Sequence, residues 1–170
     1  MRRDYPLLYA AILVLIAVLQ SSLLNGISVY NIQADFTLIV LVFFSHQLGS
    51  FQGKIVGFTA GLVLDFLSMA PLGFHCFIFT LIGHIYGLSR GKVFIDTVSL
   101  PAILIVSATL MKMITSFLLV VIFLPEKIGD VFTLSSFIQL GLHGLLAPFV
   151  FVLLKLSRLS REHETQTKRL

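Results

Sequence analysis

Apolar residues in this chain come in long unbroken runs, without the alternation of a half-buried strand or the single stripe of a surface helix. Six runs stand out, over residues 6–24, 36–48, 55–69, 73–88, 101–124 and 134–156. Most approach the ~20 residues that an α-helix needs to cross about 30 Å of hydrocarbon. The runs predict an all-α polytopic membrane protein of about six transmembrane helices, one integral membrane domain over residues 1–170. The second and third are short for a full span, so extension into their flanks, tilt or a re-entrant path are all open. The punctuation fits. Ser99 and Pro101 suit the start of the fifth helix, and Pro125 suits its end. Pro71 and Gly73 suit a tight turn between the third and fourth helices. Pro148 predicts a kink in the sixth.

Composition names the solvent. Only 12% of residues are charged, 57% are hydrophobic, and mean hydropathy is +1.00. A soluble domain carries about 25% charge, so too little polar surface exists here to coat a water-soluble globule. The net charge of +4 is not a nucleic-acid signature, because the basic residues flank apolar runs and form no continuous basic face. Cys76 is the one cysteine, which excludes an intrachain disulfide and a CxxC motif.

Charge placement then gives orientation. With the N-terminus inside, Arg2, Arg3, Lys54, Arg90, Lys92, Lys155, Arg158, Arg161, Lys168 and Arg169 all fall on the inner side. The outer loops keep only Lys127, and Lys112 lies within a helix. That bias predicts an even number of spans with both ends, residues 1–5 and 158–170, in the cytoplasm. The Arg2-Arg3 start resembles a signal peptide, but no A-x-A site follows the first run, so a retained helix is expected. The polar tail is expected to be short and frayed.

Few residues could carry chemistry. Gly49, Gly53, Gly57, Gly61 and Asp65 recur every four residues, which on a helix keeps them on one slowly drifting stripe. Small residues at this spacing admit close helix approach in lipid. Two readings stand: a packing seam within the bundle, or a groove for a partner helix flanked by Phe58 and Leu62. Gly57 and Gly61 are the two that fall well inside the run. Asp65 is costly in lipid, ~2.5–3.5 kcal/mol on insertion scales, and should face protein. His75, across the tight turn at a similar depth, is a candidate hydrogen-bond partner; capping of a neighbouring backbone is the alternative. Lys112, Gln139 and His143 are expected to share one polar cluster between the fifth and sixth helices, with any link from Lys112 to Asp65 running through water. His75 and His84 lie on opposite faces of the fourth helix and cannot share a metal. No HExxH, G-x-S-x-G or P-loop is present. No catalytic residue, metal or cofactor is expected.

The stretch from Gly49 to Gly91 resembles the rod shape-determining protein MreD family. The likeness rests on Gly57, Phe58, Gly61, Leu62 and Asp65, then Pro71, Leu72 and Gly73, then a glycine-bearing fourth helix, with Asp35 opening the second helix. Ala34-Asp35 stands where members of that family often have Pro-Asp. The resemblance implies a non-catalytic scaffold of the bacterial cell-elongation machinery in the inner membrane. Its implied partners are an MreC-like single-span protein, MreB and the peptidoglycan synthases. It also implies a topology similar to the substrate-binding components of energy-coupling-factor transporters. The rival function is therefore a small-molecule-binding transporter component with a polar pocket near Asp65, Lys112 and His143.

Overall fold

The computed structural model describes the backbone of residues 6–24, 35–68, 70–91, 99–123 and 133–167. Six helices follow one another: α1 (Pro6–Leu24), α2 (Phe36–Leu48), α3 (Ser50–Leu67), α4 (Phe74–Gly87), α5 (Ser99–Phe123) and α6 (Leu134–Thr167). No strand occurs among the described residues. By length and composition two helical stretches are long and apolar enough to cross a membrane, Pro101–Phe123 and Leu134–Leu154. Shorter apolar stretches lie at Leu7–Ser22, Phe36–Leu48 and Phe74–Gly87. The expected outer loops with Lys127, the chain ends at 1–5 and 168–170, Met69 and Lys92 lie outside the described residues.

The short helix is the middle of the molecule. α2 has only 13 residues, yet every side chain from Thr37 to Ser45 is buried. It packs against each of the other five helices. Around it the order of neighbours is α1, α3, α4, α5, α6, and no close backbone approach joins α6 back to α1 among the described residues. A helix apolar on all sides is what a central position requires. The aromatic side chains of its inner half fasten it to two ring helices. Phe44 meets Tyr9 of α1 edge-on at 4.8 Å between centroids, and Phe43 meets Phe151 of α6 at 5.0 Å.

Two boundaries differ from the sequence expectation. α3 begins at Ser50, five residues earlier than residue 55, because one residue suffices to turn the chain. Gly49 is at φ +93°, a conformation that strains any side-chain-bearing residue. Its turn is held by Arg90, whose Nη1 donates to the Leu48 carbonyl at 2.5 Å. α6 continues to Thr167 where an unwound tail was expected after the apolar run. After Pro148 no Pro or Gly interrupts that segment, and its Lys, Arg, Glu and Gln residues are good helix formers.

Candidate functional site

The glycine stripe is the seam between α3 and α4. A Cβ on Gly53 would lie 2.3 Å from the Gly83 carbonyl oxygen, one on Gly57 2.3 Å from that of Phe79, and one on Gly61 2.5 Å from Cys76 Cα. Gly83 and Gly87 return the favour from α4, against the backbone of Gly53 and Ser50. The two backbones touch along the whole stripe, and α4 leaves no groove there for another helix. Phe58 and Leu62, one position on from the glycines and so about 100° round the helix, are exposed. They continue an outward apolar row on α3 that also holds Phe51, Ile55 and Phe66.

Asp65 ends that seam and starts the next helix. It is 3% exposed. Its carboxylate accepts backbone N–H bonds from His75 at 2.8 Å, Gly73 at 2.9 Å and Cys76 at 3.1 Å, and a ring N–H from His75 Nδ1 at 3.0 Å. One carboxylate thus collects donors that the first turn of α4 leaves unpaired and opposes the positive end of the helix dipole. The hydrogen bond to His75 and the backbone cap, two readings at the sequence level, are both present. Asp65→Leu should remove acceptors from three N–H groups at once, each worth ~1–3 kcal/mol when left unsatisfied. A loss of about 3 kcal/mol or more is expected in thermal or denaturant unfolding of the detergent-solubilised protein. Asp65→Asn, which keeps one carbonyl acceptor, should lose less.

The second polar cluster forms where α2 begins. Asp35 caps its own helix, accepting the Leu38 N–H at 2.9 Å. Gln20 of α1 accepts both the N–H and the hydroxyl of Thr37 at 3.0 Å. Lys112 of α5 makes an ion pair with Asp35 Oδ2 at 2.5 Å. The Asp35 N–H donates to His143 Nε2 of α6 at 2.7 Å. That bond fixes the imidazole tautomer: Nε2 is the acceptor, so Nδ1 carries the proton and donates to Thr109 Oγ1 at 3.0 Å. Thr109 in turn donates to the Ile105 carbonyl at 2.8 Å. The chain of donors runs one way from α2 through α6 to α5.

This cluster lies deep. His143 is ~14 Å along α6 from Leu134, and Lys112 is ~16 Å along α5 from Phe123. The first turn of α2 is therefore buried about halfway down the α5–α6 pair. Its N–H groups need partners there, and His143 of α6, Gln20 of α1 and the Asp35 carboxylate itself supply them.

Lys112 and His143 come together as expected from sequence. The link from Lys112 goes to Asp35, not through water to Asp65. Gln139, a turn before His143 on α6, is half-buried. In the sequence Asp35 stands out only as the residue that opens α2, and no motif or spacing marks Gln20, Thr37 or Thr109. Phe79 lies between the two clusters: the His75 ring stacks on it at 6.4 Å, and the Lys112 ammonium is 5.9 Å from its centroid. Among the described residues no three His, Cys, Asp or Glu side chains are grouped to hold a metal ion.

An all-helical apolar chain with a glycine-packed helix pair and charges buried against its own backbone is a membrane protein built around internal polar ties. It belongs to the rod shape-determining protein MreD family, whose sequence model matches residues 1–157. No curated protein and no solved structure matches the chain. Family membership gives it a role in rod shape determination, as a shape-determining structural component.

Proposed function

We propose that this protein is a non-catalytic scaffold in the bacterial inner membrane. On this reading it holds an MreC-like single-span protein within the cell-elongation machinery and so supports side-wall peptidoglycan synthesis, with MreB and the synthases as further members of the assembly. The observation that carries the reading is the division of labour on α3. Its glycine face is occupied by α4, while Phe51, Ile55, Phe58, Leu62 and Phe66 form a row that α4 leaves uncovered, with exposures of 36–71%. In lipid, apolar area alone gives helices little reason to associate. A row of large aromatic side chains on a helix rigidly backed by a close-packed partner offers shape for another helix to fit. The polar groups favour the same reading over solute binding. Asp65, Asp35 and His143 are each engaged by the protein's own backbone or side chains, whereas a solute pocket needs acceptors and donors turned to the ligand.

The test is recovery of the partner. The intact protein, solubilised from its own membrane, should co-purify with a single-span protein. Phe58→Ala/Leu62→Ala should reduce that recovery at least tenfold with unchanged thermal stability. Full recovery with the double variant would remove α3 as the docking face. A tightly bound small molecule in the purified protein would favour the transporter-component reading.

The proposed topology is six spans with both termini cytoplasmic, supported by the skew of Lys and Arg to one side. Reporter fusions at Tyr30 and Gly129 should report the periplasm, and at Gly91 and Thr165 the cytoplasm. A periplasmic signal at Thr165 would rule out the even span count.

A further inference from the structure

Lys54 and His84 stand at one level on the outer side of the glycine seam. Gly53 of α3 and Gly83 of α4 meet backbone to backbone there. The two helices run antiparallel, so the residue after each contact emerges on the same side of the pair. Exposure follows that rule. Phe58 and Leu62 come after Gly57 and Gly61 on α3, Phe77 and Leu88 come after Cys76 and Gly87 on α4, and all four are exposed. Val56 and Ile82, one position before Gly57 and Gly83, are fully buried. Lys54 and His84 come after Gly53 and Gly83 and belong to the outer, lipid-facing side.

Both are donors without an acceptor. The Lys54 ammonium lies 5.6 Å over the Phe51 ring and makes no ion pair among the described residues. The half-buried His84 ring has its Nδ1 buried with no hydrogen-bond partner. An orphaned buried N–H is rarer than an under-satisfied acceptor, so the ring proton belongs on Nε2, the nitrogen on the accessible side. The level is close to the helix ends: Lys54 is ~6 Å along α3 from Ser50, and His84 is ~5 Å along α4 from Gly87. On the topology proposed above, this is the cytoplasmic edge of the membrane.

We propose that Lys54 and His84 bind the phosphate of an anionic phospholipid at this edge of the α3–α4 pair. The occupant is a lipid because the site opens among exposed apolar side chains, and phosphate is the anion that a bilayer supplies at the depth of a helix end. The ammonium supplies charge, and Nε2–H supplies a directed bond to a phosphate oxygen. An anionic headgroup is favoured over a zwitterionic one, since no carboxylate pairs with Lys54 that could receive a headgroup cation, and basic residues at the membrane surface attract anionic lipid. The inference does not rest on partner docking: the site lies on the α4 side of the α3 row, and its ligand comes from the bilayer.

Lipid titration of the detergent-solubilised full chain by native mass spectrometry tests it, with phosphatidylglycerol and phosphatidylcholine of identical acyl chains as probes. The first phosphatidylglycerol should bind about fivefold tighter than the first phosphatidylcholine. Lys54→Gln should remove that preference and Lys54→Arg should keep it. His84→Phe keeps an aromatic ring without a donor and should weaken phosphatidylglycerol binding about threefold; it decides the matter if Lys54→Gln does not fold. Lys168→Gln removes the same charge at the far end of the chain and should change nothing. Equal affinity of the unaltered protein for the two lipids overturns the proposal and leaves the pair of donors to a carboxylate of a partner. A preference that survives both Lys54→Gln and His84→Phe, or falls equally with Lys168→Gln, overturns it too, because the attraction would then be to net charge and not to this site.

Discussion

Gly57→Leu is expected to prevent α3 and α4 from docking, and it should be among the most damaging glycine substitutions along their seam. Its Cβ alone would lie 2.3 Å from the Phe79 carbonyl oxygen and 2.8 Å from the carbonyl carbon. Both atoms belong to helix backbone, which cannot rotate aside as a side chain would. Relief requires the helices to part, and that would strip Gly53 and Gly61 of their contacts too. Overpacking that a core absorbs costs about 1–3 kcal/mol; here the strain propagates along a whole seam, so a loss of ~3 kcal/mol or more is expected. The measurement is thermal unfolding of the detergent-solubilised variant, or its failure to elute as a single species. Gly141→Leu is the control. A Cβ there meets nothing within 4 Å, and its melting curve should overlay that of the parent.

The second large effect belongs to the ion pair, and its sign depends on which charge is removed and whether the other goes with it. Lys112→Met leaves Asp35 buried without its cation. Breaking a buried pair from one side costs ~3–5 kcal/mol, well above the ~0.6 kcal/mol average of neutral polar ties between membrane helices. Asp35→Asn strands the lysine instead. Its stem can carry the ammonium toward water, so that loss should be the smaller of the two. Asp35→Asn/Lys112→Met removes both charges and keeps a capping side chain for the Leu38 N–H. It should recover most of the lost stability. The double-mutant cycle in unfolding free energy measures this directly. Additive losses would mean that the two charges do not act as a pair.

How much of this could be read from sequence divides along one physical line. The ends of α2 matched closely, and the glycine stripe and the Asp65–His75 neighbourhood were visible, because each depends on residues close together in the chain. Helical spacing alone puts Gly53, Gly57, Gly61 and Asp65 on one face, and a tight turn brings His75 back to Asp65. Spacing gave no way to choose between a seam and a groove at Gly57, since that depends on which helix arrives. The partner of Lys112 went unrecognised for a related reason. Asp35 stands at the edge of an apolar run, and nothing local to that edge gives it the depth of a mid-helix lysine. α2 starts instead about halfway down α5 and α6, so a helix end and two helix middles share one depth. Its short length was the available hint, along with an unbroken apolar character that suits a helix surrounded on every side.

The central claim is that the exposed row on α3 holds another membrane protein, and in-cell photo-cross-linking tests it at the contact itself. A photoreactive phenylalanine analogue would replace Phe58 on α3 and, in a second strain, Phe149 on α6, which is exposed to 70%. From position 58 the account predicts a discrete adduct with a single-span membrane protein, absent from position 149. Adducts with lipid alone from position 58, or the same protein adduct from both positions, would contradict it.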